Sequence, residues 1–312
     1  MPELPEVETI RRGLEEKIAG QTIKSVEVRA PKIFQGEPEE LVGQQILSIG
    51  RQGKLLLFAL DDGRVMTIHL KMTGQLIWKP EPRALPKEDE ITYVDNAELP
   101  DDDEEEDEEE AVVGGHPEAA YLQPLPHKHT HVIFTFEDGS KLYFNDLRKF
   151  GRISVLAKGE LSDLPFLKTL GPEPLEPDFT RTYLAERLAE RPKAVIKTFL
   201  LDQTNIAGLG NIYADESLFR AAILPDRLAG SLAYGEITNL YEAIKETLEL
   251  ALLYGGSSSK DYVNAVGEQG TFLKIANVYH RTGQECNRCL SAVIERKKIG
   301  GRSSHFCPVC QR

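Results

Sequence analysis

Four cysteines constrain this chain more tightly than any other feature. Cys286 and Cys289 form one Cys-x-x-Cys pair, and after seventeen residues Cys307 and Cys310 form a second. Two thiolate pairs at this spacing place four sulfurs around one tetrahedral Zn²⁺, each pair supplied by a tight turn. The alternatives are structural thiols or a redox dithiol. A redox motif goes with one pair beside a βαβ unit, which this sequence lacks. A site closed by four sulfurs has no open position, so a single structural zinc is expected and no metal catalysis. Between the pairs runs Glu295-Arg296-Lys297-Lys298-Ile299-Gly300-Gly301-Arg302. It reads either as a hairpin tip suited to phosphate or as a solvated charged loop. So few cysteines in 312 residues make no disulfide scaffold, and a reducing cytoplasm is expected.

The formal net charge of −13 argues at first against a polyanionic partner. Its distribution reverses that. Residues 88–120 hold sixteen Asp/Glu and no Lys or Arg, so outside them 34 acids face 37 bases. Residues 272–312 hold eight Lys/Arg and two Glu. Charge partition decides what a nucleic acid meets. The acidic block, with DDDEEEDEEE at 101–110, has too little apolar surface to fold and is expected to be disordered. No apolar run approaches the ~18 residues of a membrane helix. The start, Met1-Pro2-Glu3-Leu4-Pro5-Glu6, carries no basic and apolar secretory pattern.

Residues 3–19 read as an amphipathic helix, with Val7, Ile10, Leu14 and Ile18 at helical spacing and Gly20 as its stop. KLLLFAL and RVMTIHLKM flank Asp61-Asp62-Gly63, and HVIFTF and KLYFND flank Glu137-Asp138-Gly139, giving two hairpins. The first domain is therefore set at 1–160, one helix and a mostly antiparallel β region. The Pro-rich stretch within 161–177 reads as a linker. TRTYLAERLAE, KAVIKTFLLD, NIYADESLFRAA and GEITNLYEAIKETLELALL make a helical second domain, 178–270, and the cysteine segment fills 271–312. Strands gathered before helices indicate the α+β class.

Asn205-Ile206-Ala207-Gly208-Leu209-Gly210-Asn211 joins two of those helices. Asn211 falls near a helix N-terminus, where free N–H groups and the dipole attract an anion. Lys193 and Lys197 are expected one turn apart on the preceding helix. A plain N-cap in a helical hairpin is the alternative. At the chain start, loss of Met1 would expose the secondary amine of Pro2. An α-amine with a pKa near 8 is partly unprotonated at pH 7 and can attack an electrophilic carbon to form an iminium. Glu3 and Glu6 stand beside it as acid or base candidates. Most N-termini are frayed tails, but here a helix begins at once.

MPELPEVETIRRGL, HLKMTGQL, FNDLRKFG, LGPEPL, GLGNIYADESLF and CNRC with HFCPVC occur in this order. Together they resemble formamidopyrimidine-DNA glycosylases, bacterial enzymes that remove oxidised purines from DNA, over residues 1–87 and 121–312. The resemblance implies a β-sandwich domain behind the N-terminal helix, a helix–two-turn–helix domain and a C-terminal zinc finger. Damaged double-stranded DNA would lie between them. It implies a monomer in the cytoplasm, at the nucleoid, with both glycosylase and abasic-site lyase activity. By the same resemblance Pro2 is the nucleophile at C1′, Glu3 the acid/base of sugar opening, Lys54 the lysine of β-elimination and Arg302 the finger arginine of δ-elimination. His129, Arg148, Lys193 and Asn211 match DNA-contacting positions. Met72, Arg148 and Phe150 resemble the trio that fills the gap left by an extruded base. As single residues, Lys54 reads equally as a strand-edge snorkel, and Met72 and Phe150 as core.

A relative with the same nucleophile acting on oxidised pyrimidines is the close rival. The start of the chain and the stretch Tyr262–Leu273, which resembles the family's purine-covering loop, favour purines. A DNA-binding module without catalysis would lack Pro2 or Lys54, and both are present. Two departures from the family pattern stand out. One is the acidic insert. The other is Lys71, which stands where glycine is common and reads as a minor surface change. The cysteine reading is tested by Cys289→Ser. Native mass spectrometry should find one zinc per wild-type chain and none in the variant, since a ribbon without a core of its own depends on its metal.

Overall fold

The computed structural model describes residues 1–81, the backbone of 112–115, 124–257 and 271–312. Helix α1, Leu4–Ile18, starts where Pro5 falls in the first turn, and it ends as Gly20 turns into φ +85°. Its buried face is Val7, Ile10, Leu14 and Ile18, as the spacing indicated. Strands β1 (Ile23–Val28), β2 (Phe34–Gln35), β3 (Ile46–Gln52), β4 (Leu55–Leu60), β5 (Val65–His69) and β6 (Gly74–Lys79) follow. Next come β7 (Val112–Gly115), β8 (Thr130–Phe136), β9 (Lys141–Asp146) and β10 (Arg152–Leu156). They form two five-stranded sheets, ordered β1-β8-β9-β6-β7 and β2-β10-β5-β4-β3. All pairs are antiparallel except β2 with β10. One core serves both sheets: Phe58, Met66 and Ile68 of one meet Leu76, Phe134 and Phe144 of the other, with Ile10 and Leu14 of α1 among them.

The helical half contains α2 (Pro165–Lys168), α3 (Arg181–Glu190), α4 (Ile196–Leu201), α5 (Asn211–Arg220), α6 (Tyr234–Leu253) and α7 (Phe272–Ile275). Its own core is built from Leu184, Phe199, Tyr213, Leu218, Ile244 and Leu248, among others. The last segment is a hairpin of β11 (Glu295–Ile299) and β12 (Arg302–Phe306), turned by Gly300 and Gly301 at φ +54° and +80°. Among the described residues no helix is long and apolar enough to cross a membrane.

Three expectations change. The acidic insert was expected to be disordered throughout, yet Val112–Gly115 within it form β7, which pairs with β6 from Trp78↔Val112 to Gln75↔Gly115. The acidic run itself, and the stretch Tyr262–Leu273 up to residue 270, lie outside the described residues. KAVIKTFLLD yields only the short α4. Pro192 and the turn after it keep Lys193 out of the helix, on an exposed turn, while Lys197 lies inside α4 and is fully buried. The Pro-rich linker is clamped, since Glu173 accepts from Gly53 N at 2.6 Å and pairs with Arg51 at 2.7 Å.

A deletion of residues 88–108, which keeps β7, should leave the melting temperature within a degree or two. Extending it through residue 118 removes the edge strand and should cost roughly 2 kcal/mol or more, about 4 °C or more by scanning calorimetry.

Candidate active site

The site forms where the start of the chain meets the start of α5. Leu4 N donates to Gly208 O at 3.0 Å. The Glu3 carboxylate, 3% exposed, accepts from Ile212 N at 3.0 Å and lies 3.5 Å from Tyr213 N, so it caps α5 across 209 residues of sequence. Free amides and the helix dipole favour a negative group there. The anion expected at this helix end is thus the protein's own carboxylate. Asn211, the first residue of α5, donates through Nδ2 to Ser303 O at 3.0 Å and so holds β12. Two glycines permit the approach. A Cβ at Gly210 would stand 2.2 Å from Glu3 Cδ, and one at Gly208, which has φ +81°, would stand 2.7 Å from Leu4 Cβ.

Pro2 is buried, and Met1 before it is 44% exposed. Met1 lines a pocket of about 190 Å³ together with Lys54, His69, Lys71, Phe166 and Arg302. Lys54, in the turn between β3 and β4, is buried and donates to Leu209 O at 3.0 Å. Its turn is fixed by Glu173 on Gly53 N and by Arg51, which donates to Gly53 O at 2.9 Å. Burial lowers the Lys54 pKa, Glu3 works against that, and Arg302 adds to it. Burial raises the Glu3 pKa, and the nearby Lys54 charge only partly offsets it. Acid and base are thus each drawn toward their neutral forms. His69 is pushed down to about 3, first by burial and then by Lys71 and Lys54, so its imidazole is neutral.

Glu6, one turn along α1, accepts from Glu3 N at 2.7 Å, from Ser257 N at 2.7 Å, from Ser257 Oγ at 2.9 Å and from the Tyr213 hydroxyl. It ties α1 to α5 and to the chain just beyond α6. A second buried cluster joins α4, α5 and the finger. Lys197 pairs with Asp215, whose Oδ2 accepts from His305 N at 3.0 Å and contacts His305 Nδ1 at 3.1 Å. Arg302 therefore reaches the pocket on a strand pinned twice to α5. Sequence reasoning missed Asp215, His305 and the His69–Lys71 wall, because no local spacing joins them. Lys71 is no minor surface change: it has φ +54°, the conformation that glycine favours, and it lines the pocket.

The four cysteine sulfurs lie within 4.8 Å of one another. Cys286–Cys310 and Cys289–Cys307 are each separated by 3.8 Å. A tetrahedron of ~2.3 Å metal–sulfur bonds has edges of about 3.8 Å. The residues therefore fit a four-thiolate metal ion. The knuckle sits on α5, with Arg288 4.0 Å above the Phe219 ring and donating to Phe219 O at 2.9 Å.

On the sheet side, Met72 and Phe150 are 42% and 47% exposed, so neither is core. Arg148 joins them, with Nη1 3.1 Å from Met72 Sδ and its guanidinium 4.7 Å over the Phe150 ring. His129 is half-buried, in the turn just before β8.

Residues 1–153 match the formamidopyrimidine-DNA glycosylase N-terminal domain, and residues 170–263 match the H2TH domain of the same glycosylases. Proteins called formamidopyrimidine-DNA glycosylase from Geobacillus kaustophilus and Bacillus subtilis are each 42% identical over the whole of this chain, covering 100% and 99% of their own lengths. A Lactococcus lactis Fpg in complex with DNA containing an abasic site superposes with a TM-score of 0.80 at 34% identity, covering 99% of both chains. A mutant of that enzyme with DNA containing Fapy-dG gives 0.80 at 35% over 100% of both.

The close approach of the first residues to α5 is open to test. Gly208→Ala forces a Cβ against Leu4 in a left-handed backbone, and should destabilise the fold by about 1–3 kcal/mol in urea unfolding at an unchanged m-value.

Proposed function

The chain belongs to the formamidopyrimidine-DNA glycosylase family, and from that premise we propose that it is a bifunctional glycosylase and abasic-site lyase. It excises oxidised purines, 8-oxoguanine and formamidopyrimidines, from duplex DNA in base excision repair. It works as a monomer at the cytoplasmic nucleoid. One observation carries the reading: Met1, whose loss would free the nitrogen of the buried Pro2, lines a pocket whose wall holds Lys54 and Arg302, and Glu3, next in the chain, is fixed on α5.

In the Met1–Pro2 bond the proline nitrogen is an amide and no nucleophile. Removal of Met1 frees a secondary amine in the space Met1 fills. That nitrogen bonds to C1′ as the C1′–base bond breaks, and the base leaves with a proton. The C1′–O4′ bond then opens to an iminium, and Glu3 supplies the proton that O4′ takes up. Its raised pKa keeps that proton to a higher pH than an exposed carboxyl would. The iminium acidifies the C2′–H. Lys54, with its lowered pKa, is suited to take that proton as the 3′ phosphate leaves in β-elimination. In δ-elimination the C4′ proton is lost to solvent as C5′–O breaks, Arg302 steadies the departing 5′ phosphate, and water then hydrolyses the iminium to release Pro2.

Extrusion of the damaged nucleotide costs roughly a few kcal/mol. Met72 and Phe150 replace lost stacking, and Arg148 satisfies the orphaned partner base. His129, Lys193 and Asn211 hold the backbone. Cys286, Cys289, Cys307 and Cys310 would hold zinc, which supplies fold to the finger and no step of the chemistry.

Borohydride should trap the Met1-free protein covalently on abasic DNA. A chain with an uncleaved N-terminal extension should give no adduct and no strand cleavage. Full lyase activity in the extended chain would remove Pro2 from its role.

A further inference from the structure

Asp146, the last residue of β9, is fully buried and is bonded at every polar atom. Its main chain clasps the β8 end of the sheet: N donates to His129 O at 3.0 Å, and the carbonyl lies 2.7 Å from His131 Nε2. Its carboxylate clasps two other segments. Oδ1 accepts from Thr73 Oγ1 at 2.5 Å and from Arg148 N at 3.1 Å, and Oδ2 accepts from Gly151 N at 2.7 Å. Arg148 N also reaches Thr73 Oγ1 at 3.1 Å.

Thr73 is the residue after Met72. Arg148 and Gly151 bracket the tip that carries Phe150, where Lys149 takes φ +55°. Gly151 fits only without a side chain, since a Cβ there would stand 2.5 Å from Phe144 Cζ and 3.1 Å from Asp146 Oδ2. One carboxylate thus fixes the segments of all three exposed residues, and its backbone fixes the segment of His129.

We infer that Asp146 is a positioning residue that holds Met72, Arg148, Phe150 and His129 as one preassembled unit for nucleotide extrusion. The inference rests on the proposed role of those four residues. A buried carboxylate suits the task because it only accepts, and all three of its side-chain partners donate. Asn in its place turns an NH₂ toward Gly151 N or toward Thr73 and Arg148, so one grip is lost and a donor meets a donor. Loops left loose must order on the DNA, and that slows the step before chemistry.

The test follows 8-oxoguanine excision under single turnover, beside cleavage of a preformed abasic site that has no base to unstack. Stopped-flow fluorescence of 2-aminopurine next to the lesion reports extrusion. Asp146→Asn should slow extrusion and excision by about tenfold or more, and abasic-site cleavage by less than about threefold. Thr73→Val should show a smaller loss of the same kind, and Thr73→Ser should restore the wild-type rate. Wild-type extrusion in Asp146→Asn overturns the inference, and so do equal losses on both substrates, which mark a general structural defect. If Asp146→Asn does not fold, Thr73→Val decides: unchanged extrusion there overturns it as well. A wild-type chain that cleaves neither substrate instead overturns the functional reading beneath it.

Discussion

The Glu3 carboxylate on the N-terminus of α5 is the contact on which the arrangement depends. Burying a carboxylate is unfavourable, and its raised pKa records that. Helix amides, the dipole and Lys54 offset part of the cost. What the contact achieves is topological. It brings Glu3 and Leu4 to residues 208–213, so α1, which lies in the sheet core, starts against α5 of the helical core. The same burial keeps a proton on Glu3 to a higher pH than an exposed carboxyl would hold it. Docking and acidity thus come from one placement.

Helix α5 carries the same logic along its length. Every residue from Tyr213 to Phe219 is buried, and four of these seven are polar or charged: Asp215, Glu216 and Ser217, with Tyr213 through its hydroxyl. A helix buried all round is normally apolar. Here most of the polar groups reach other segments. Tyr213 bonds Glu6, Asp215 bonds Lys197 and His305, and Glu216 accepts from the amides of Asn277, Val278 and Tyr279. Fully satisfied buried networks specify one arrangement, because each broken member leaves a desolvated orphan. The chain end adds to this, with Gln311 donating to Ile223 O at 2.8 Å. The finger is thereby seated on α5 by more than its own small cluster.

Much of this was legible in the sequence, and the limits have physical reasons. Val7, Ile10, Leu14 and Ile18 repeat at helical spacing, and the two hairpins alternate around Asp-Gly turns, so α1, β4–β5 and β8–β9 follow from local pattern. The cysteine spacing likewise foretold four close sulfurs. Contacts between distant segments have no local signal. Nothing near residue 146 announces that its carboxylate will hold residues 73, 148 and 151. Lys193 and Lys197 look alike in sequence, yet one is exposed on a turn and the other pairs with Asp215 in the interior. Composition also misled at Val112–Gly115. Four small and β-branched residues beside an acidic run suffice for an edge strand once β6 offers a template.

That edge strand explains why the total charge is a poor guide to this protein. The acidic run ends one residue before β7, and β7 enters its sheet opposite Trp78. Met72 precedes β6 at the other end of that strand. At ~3.3 Å per residue Trp78 and Gly74, the first residue of β6, are about 13 Å apart. The Debye length at physiological salt is ≈ 8 Å, shorter than that span. Register therefore sets where on the sheet the acidic run is tethered. A shift of two residues in the β6–β7 pairing would keep each strand's faces. It would also move the point where the acids join by ~7 Å, nearly one Debye length. The strand pairing and the electrostatics are in this sense one constraint.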